Sequence, residues 1–476
     1  MNARRIKMET EKRIVYLDNL RNIIIYNVVV YHAFLAFAYP LLFWWATVDK
    51  DGSARIYETA IRTMYVYMMP CVIFIAALFI LPSLQRSGAL AYIKKRFTRL
   101  YVPVIVFLFC AGDIFPYLLS KRIGNLSLTY PDTFIAFWRS FANIPLIYFS
   151  DADKIMNTIG FNFYHTWFLT LLFFLTLIFV LARLPFAKKA AKPVSLDSRN
   201  KIILKTILFA VTLSLVYFAV AWWYVVHDIQ LNGWTLLGKA VIFENIQIWV
   251  LVPLFAFGLY AYKKEWLTRG DIGSWKIWGM LTLIFLGLYI YLMHFIYLPE
   301  VEGMYKIVEH NTLFEDKLEM PVIGDYLARV IIPIWLLVPL ACVFILMFLL
   351  SFAKKFFNKP NAVTAFCSKH SINVYILHYI PILIFQYTFL NVPVSPVLKI
   401  VVMIIIIAPA CLWLSHRLVY PHPKTAILFF VTLKLIALAA GFEFYYWALL
   451  AIIFISFTGA VFEFTKFMAS RKKAKC

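Results

Sequence analysis

The sequence predicts an all-α fold, a polytopic transmembrane helix bundle of about 12 helices with both termini in the cytoplasm. Three observations carry that prediction. Hydrophobic residues make up 63% of 476 positions and charged residues only 15%, against roughly half apolar and a quarter charged in soluble chains. The apolar residues gather into runs of about 18 or more, the length that crosses a bilayer core as a helix. The basic residues alternate between dense and sparse connecting segments from one run to the next.

In order, the runs are 15–45, 61–82, 100–120, 162–182, 202–226, 240–262, 275–298, 323–352, 371–391, 395–415, 425–440 and 443–465. The eleventh is short and carries Lys434. With the N-terminus inside, the cytoplasmic segments hold 32 Lys and Arg and the outer segments 10, which satisfies the positive-inside rule. The net charge of +22 is thus read as topology and contact with anionic lipid heads, with the bilayer as partner and no nucleic acid. The outer segment 298–322 is acidic, with Glu300, Glu302, Glu309, Glu315, Asp316 and Glu319. Residues 131–149 are aromatic-rich and too broken to span, so they are expected in the interface. Asn125-Leu126-Ser127 fits a glycosylation acceptor pattern. A Lys-rich linker at about 184–201, with Pro185 and Pro193, separates four helices from eight.

The expected organisation is a cytoplasmic segment 1–14, a membrane domain 15–420, an accessory transmembrane hairpin 421–466 and a basic cytoplasmic tail 467–476. No soluble domain or internal repeat stands out. The N-terminal run lacks a small-residue cleavage site and reads as an uncleaved first helix. Cys71, Cys110, Cys342 and Cys411 fall in apolar runs and no outer segment holds a cysteine, so there is no disulfide framework. The nine histidines follow no metal-ligand spacing, and no metal is expected. Nucleotide-binding loops and nucleophile elbows are absent as well.

An ionisable group inside a spanning helix is expensive and is a functional candidate by default. The first helix holds three: Asp18, Arg21 and His32. Asp18 and Arg21 are three apart and share a face. Arg21 and His32 are eleven apart, about three turns and roughly 16 Å along the same face, which puts His32 near mid-membrane. A second cluster, Lys94-Lys95-Arg96-Phe97-Thr98-Arg99, stands at the cytoplasmic entry to the third helix. Its two guanidinium forks suit phosphate oxygens, while its bland reading is positive-inside anchoring. A third is Tyr164-His165-Thr166-Trp167-Phe168-Leu169, which opens the fourth helix at the outer surface in this topology. A fourth is Tyr375-Ile376-Leu377-His378, a turn or two into the ninth helix.

Together these sites resemble the integral membrane acyltransferase family 3, and within it the glucan biosynthesis protein C type. The resemblance rests on Arg13-Ile14-Val15-Tyr16-Leu17-Asp18-Asn19-Leu20-Arg21 followed by His32, an Arg-x10-His pattern. It continues through Met69-Pro70, then Arg96-Phe97-Thr98-Arg99 as Arg-x-x-Arg, with Pro103 shortly after. His165-Thr166-Trp167-Phe168-Leu169 and Val374-Tyr375-Ile376-Leu377-His378 complete it. Where the family often has a Ser-Gly pair after Met-Pro, Ile75-Ala76-Ala77-Leu78 stands here. The last two helices go beyond the usual ten.

The resemblance implies an O-acyltransferase of the cell membrane. It would move an acetyl or succinyl group from cytoplasmic acyl-CoA to a hydroxyl of a periplasmic or cell-surface glycan, with no permanently bound cofactor. Arg96 and Arg99, with Lys94 and Lys95, would hold the CoA phosphates. His32 would act as general base, and Arg21, oriented by Asp18, would hold the acyl-CoA or stabilise the developing oxyanion. His165 and Trp167 would receive the carbohydrate, and His378 and Tyr375 are further site candidates. The rival reading is a 12-helix transporter or flippase of a glycan or small solute, with His32 as a proton relay. The scarcity of acidic residues deep in the spans and the Arg pair beside a basic cluster both count against it.

Overall fold

The computed structural model describes residues 14–38, 45–49, 52–122, 124, 128–145, 147–150, 161–184, 196–227, 229, 231, 233–302 and 330–473. The Asn125-Leu126-Ser127 tripeptide, most of the basic linker and the outer acidic residues from Glu309 to Glu319 lie outside these.

The elements run α1 (Val15–Phe34), α2 (Arg55–Leu78), α3 (Ile80–Ser87), α4 (Ala89–Arg96), α5 (Val102–Ala111), α6 (Ile114–Arg122) and α7 (Tyr130–Asn143), then strand β1 (Ile147–Ser150). After it come α8 (Trp167–Arg183), α9 (Arg199–Val226), β2 (Trp234–Leu237), β3 (Val241–Glu244), α10 (Ile248–Lys263) and α11 (Trp275–Tyr291). The chain closes with α12 (Ile332–Phe356), α13 (Ala362–Leu377), α14 (Tyr379–Phe389), α15 (Pro396–Leu414), α16 (Pro423–Ala440) and α17 (Phe442–Lys473). Among the described residues ten helices are long and apolar enough to cross a membrane, or eleven if α13 and α14, bent by 56° at His378, count as one span. This is a polytopic all-α bundle. Of the twelve expected spans the sixth, 240–262, is not a full one: its first residues form β3 and α10 has only 16 residues. An apolar run alone does not separate a buried strand from a helix.

The helices alternate in direction, so the bundle has two ends. Val15, Ser87, Lys263, Phe356 and Val419 mark one, the tail face. The opposite end is the sheet face, where β1, β2 and β3 form one antiparallel sheet in that order. The segment expected in the interface is here: α7, opened by a Thr129–Asp132 capping box, leads into β1. The β2–β3 turn is made by Gly238 and Lys239, both at positive φ (59° and 55°).

Lipid-facing and packed surfaces are easily told apart. Leu208, Leu215 and Leu283 on α9 and α11 are exposed, as expected of apolar residues that meet acyl chains, whereas α2 is largely buried. There α10 comes so close to α2 that a Cβ on Gly258 would lie 2.7 Å from the Phe74 carbonyl oxygen. The close approach thus uses a glycine of the facing helix instead of a Ser-Gly pair at 75–78.

The C-terminal hairpin α16–α17 is locked to the rest from within. Lys434 Nζ lies 2.6 Å from both carboxylate oxygens of Asp113 and 2.6 Å from Tyr130 Oη, and neither Lys434 nor Asp113 exposes any surface. The rings of Tyr130 and Phe134 stand 4.4 and 4.8 Å from the ammonium. A charge expected to weaken the eleventh helix instead has a complete set of partners.

Candidate active site

Arg21 opens the site from the tail face. Its Nη2 lies 3.5 Å from Asp18 Oδ1 and donates to Ser368 Oγ at 3.1 Å, so the i,i+3 spacing on α1 and one hydroxyl of α13 together aim the guanidinium. It borders a cavity of about 470 Å³. The mouth of the cavity is basic, with Arg86, Lys95, Arg96 and Arg99, and its deep end is apolar, with Ile25, Met69, Val72, Phe168 and Leu169. Arg96 donates from Nε to Tyr92 Oη at 2.9 Å and lies over the same ring at 5.2 Å. A π-helical turn at Phe97–Tyr101 follows. Lys94 is exposed and does not line the cavity. Three sites that are separate in the sequence, Arg21, the basic cluster and Tyr375, thus meet around one space. Arg86 and Tyr92 belong to it too. Their signal was weak, one basic residue and one tyrosine outside any motif.

Next to the cavity, joined to its wall through Tyr375 but not lining it, stand three histidines. The ring centroids of His32 and His378 are 4.9 Å apart, those of His165 and His378 5.2 Å, and those of His32 and His165 6.0 Å. All three are buried. Tyr31 stacks on Tyr65, which lies ten residues, roughly 15 Å, into α2 from Arg55, so the trio sits at about mid-depth. The position of His165 differs from the sequence expectation. It stands beside His32 inside the bundle, because the chain enters as a buried non-helical stretch, Phe161 to Phe163, before α8 begins. There Asn162 Oδ1 accepts from the Tyr164 amide at 2.8 Å and Tyr164 takes φ 47°. Irregular backbone at membrane depth is tolerated where protein surrounds it.

Hydrogen bonding fixes the tautomers. His378 Nδ1 faces the Val374 carbonyl oxygen at 3.1 Å. A carbonyl only accepts, so Nδ1 carries the proton and His378 Nε2 is an acceptor in the neutral ring. That Nε2 lies 3.1 Å from His32 Nδ1, which must therefore be the donor, and which also reaches the Val28 carbonyl at 2.9 Å. His32 Nε2 is left with a bare lone pair, and among the described residues it has no hydrogen-bond partner. His165 is held differently: Nε2 donates to the Ile376 carbonyl at 3.2 Å, its ring stacks on Tyr379 at 4.5 Å, and Nδ1 is buried without a partner. Tyr375 Oη donates to the His165 carbonyl. Gln386, with no motif to announce it, braces the end of α1. It donates to the His32 carbonyl at 3.1 Å and accepts from Trp45 Nε1 and Thr47 Oγ1, each at 2.9 Å.

Toward the sheet face, Trp167 packs edge-on against Trp234 of β2 at 5.5 Å. Glu244 of β3 is buried and accepts from Tyr65 Oη. Burial pushes its carboxyl up to about 8, with Arg62 pulling the other way. Among the described residues no group of three or more His, Cys, Asp or Glu is arranged to hold a metal ion.

The arrangement is a basic-mouthed apolar cavity and, adjoining its wall at Tyr375, a histidine trio that includes an imidazole with a free nitrogen. The sequence profile of the acyltransferase family 3 domain matches residues 14–416 of the chain. No curated protein and no solved structure matches it.

Proposed function

From the premise that this chain belongs to acyltransferase family 3, a membrane acyltransferase, we propose that it is an acyl-CoA-dependent O-acyltransferase of the cytoplasmic (inner) membrane. It takes an acetyl or succinyl group from acyl-CoA on the cytoplasmic side and delivers it to a glycan hydroxyl on the other. The observation that carries this reading is the bare Nε2 of His32 in a buried trio that adjoins the basic-mouthed cavity through Tyr375.

In this reading the tail face is cytoplasmic. The CoA phosphates lie against Arg96, Arg99 and Lys95, with Lys94 adding field from outside the cavity. Arg21 lies eleven residues, about 16 Å along α1, from His32. That separation favours holding the CoA portion over stabilising an oxyanion beside His32, and Asp18 orients it. The apolar deep end takes the pantetheine arm and brings the thioester toward the trio, past Tyr375. As the acceptor oxygen attacks the thioester carbon, His32 Nε2 takes its proton. The imidazolium so formed is held by the His32 Nδ1–H to His378 Nε2 bond. On collapse the C–S bond breaks, and the same proton returns to the CoA sulfur, so no charge is stranded at mid-depth. His165 and Trp167 border the space the acceptor enters.

Purified protein in bilayers, given labelled acetyl-CoA or succinyl-CoA and a glycan acceptor, is expected to release CoA and label the glycan. His32→Ala is expected to lose at least about a hundredfold in turnover, the ordinary size of a general-base effect, while inserting normally. CoA release that is equal in wild type and His32→Ala contradicts the assignment.

A further inference from the structure

Between the sheet and His32, a second set of polar side chains has more acceptor capacity than the fold fills. Trp234 and Glu244 are cross-strand partners, so their side chains share one face of the sheet. Trp234 meets Trp167, Glu244 accepts from Tyr65, Tyr65 stacks on Tyr31 at 6.4 Å, and Tyr31 meets the ring of His32 edge-on at 5.1 Å. The series runs without a break from the sheet to the free imidazole. Two turns along α2 from Tyr65, Glu58 pairs with Arg62 through Oε1 at 2.6 Å. Its other oxygen, Oε2, is sealed without a hydrogen-bond partner although Glu58 is only 4% exposed. The amide oxygen of Gln247, one turn past Glu244, is also buried and unpartnered.

Buried polar atoms are normally paired, because an unpaired one forfeits its hydration. Here the open positions are oxygens that accept. The guanidinium of these groups, Arg62, is already paired with Glu58 at 2.6 Å, so a further anion would find no free cation and is disfavoured. The complement is a neutral molecule that brings several O–H donors and an apolar ring face for aromatic contact, which describes an uncharged sugar unit.

We propose that Glu58, Glu244, Tyr65, Trp167 and Trp234 line the path by which a neutral glycosyl unit approaches His32 from the sheet face, and form its acceptor subsite. This rests on the acyl-transfer reading for its role and on the unpartnered oxygens for its place. Tyr31 forms the step between the subsite and the base. The small sheet is then a recognition surface, with β3 supplying the carboxyl group and β2 the ring.

The test uses full-length protein in bilayers and two probes, a linear neutral glucose oligosaccharide and an oligogalacturonate of the same length. Binding of each is followed by intrinsic tryptophan fluorescence, and CoA binding is titrated separately as a control for folding. The wild type is expected to bind the neutral oligomer at least about tenfold more tightly than the anionic one. Glu244→Gln and Trp234→Ala should each weaken neutral-oligomer binding at least about tenfold, the loss of one well-placed carboxyl hydrogen bond or of one ring contact, with CoA affinity unchanged. Glu58→Gln serves as a third variant wherever it retains CoA binding. Unchanged oligomer binding in Glu244→Gln and Trp234→Ala overturns the proposal, as does a wild type that binds no neutral oligomer or binds the anionic one equally well. If binding follows the prediction but no acyl group is transferred, the subsite stands and the acyl-transfer reading fails.

Discussion

Removal of His378 tests the chain of tautomers at the centre of the site. In His378→Ala the His32 Nδ1–H still has the Val28 carbonyl at 2.9 Å, so the neutral ring keeps its tautomer and substrates meet the same pocket. What disappears is the 3.1 Å acceptor that holds the imidazolium once His32 Nε2 has taken a proton. Hydrogen bonds to charged groups contribute about 1.5–3 kcal/mol, and this one strengthens only as charge develops, so its loss falls on kcat. At about 1.4 kcal/mol per decade, kcat should fall roughly ten- to a hundredfold, with KM for acyl-CoA and for acceptor little changed. His378→Gln offers a side-chain oxygen to the same Nδ1–H and should recover part of the loss. Steady-state kinetics in bilayers with both substrates varied separately would measure this. Equal kcat in wild type and His378→Ala, or equal losses in the Ala and Gln variants, would refute the relay and leave His378 a packing residue.

Four further outcomes are expected. Arg96→Lys/Arg99→Lys keeps the charge but loses the planar forks, and should raise the Kd for CoA at least about tenfold in calorimetric titration with CoA and dephospho-CoA; unchanged binding returns the cluster to lipid anchoring. Lys434→Ala strands the buried Asp113 carboxylate and should cost about 3–5 kcal/mol in detergent unfolding, whereas the all-apolar pair Lys434→Met/Asp113→Leu should recover most of it; equal loss in both contradicts the charge argument. Glu244, faced by Arg62, Glu58, Tyr65 and Tyr31, is raised by burial from its ordinary 4.5 to about 8. Because the folded state favours its protonated form, its contribution to stability is intact below pH 4.5 and lost as pH rises through about 8, so thermal stability should decline across that window in wild type and not in Glu244→Gln. Cysteine labels at both termini and at Ser195 should be reached from the cytoplasmic side and a label at Glu309 from outside; reversal would move the CoA site to the wrong compartment.

Much of the bundle was legible because hydropathy and charge report on lipid and water directly. The Arg21–His32 register on α1 followed from helical spacing alone, and the structure keeps both on one face. What the sequence withheld was depth and strand. Val241-Ile242-Phe243-Glu244 is as apolar as the helix after it, so the boundary at Gln247 left no trace in hydropathy; the punctuation was Gly238-Lys239, whose positive φ values make the hairpin. His165 begins a helix, and a helix start ordinarily marks a membrane surface. Here a buried irregular stretch delivers that start to mid-depth, which spacing cannot reveal. Gln386 and Arg86 had no motif because each acts through partners hundreds of residues away in the chain or across a fold-made cavity. Lys434 looked like a flaw in its span because its partner is 321 positions earlier.

That separation sets an order of events during synthesis. Asp113 is made and threaded into the bilayer while Lys434 is still more than three hundred codons from the ribosome's exit. In the interval its carboxyl has only Tyr130 and whatever proton or water it can keep, a condition tolerable for a nascent chain and poor for a finished one. Completion of the hairpin is therefore the moment at which the buried charge is first neutralised. A molecule halted before Lys434 contains every residue assigned here to chemistry, yet it keeps an exposed defect in its interior that degradation machinery for membrane proteins is suited to find. The two helices beyond the matched stretch thus act as a closing clasp, and a chain that ends before Lys434 is expected to be cleared faster than the full one.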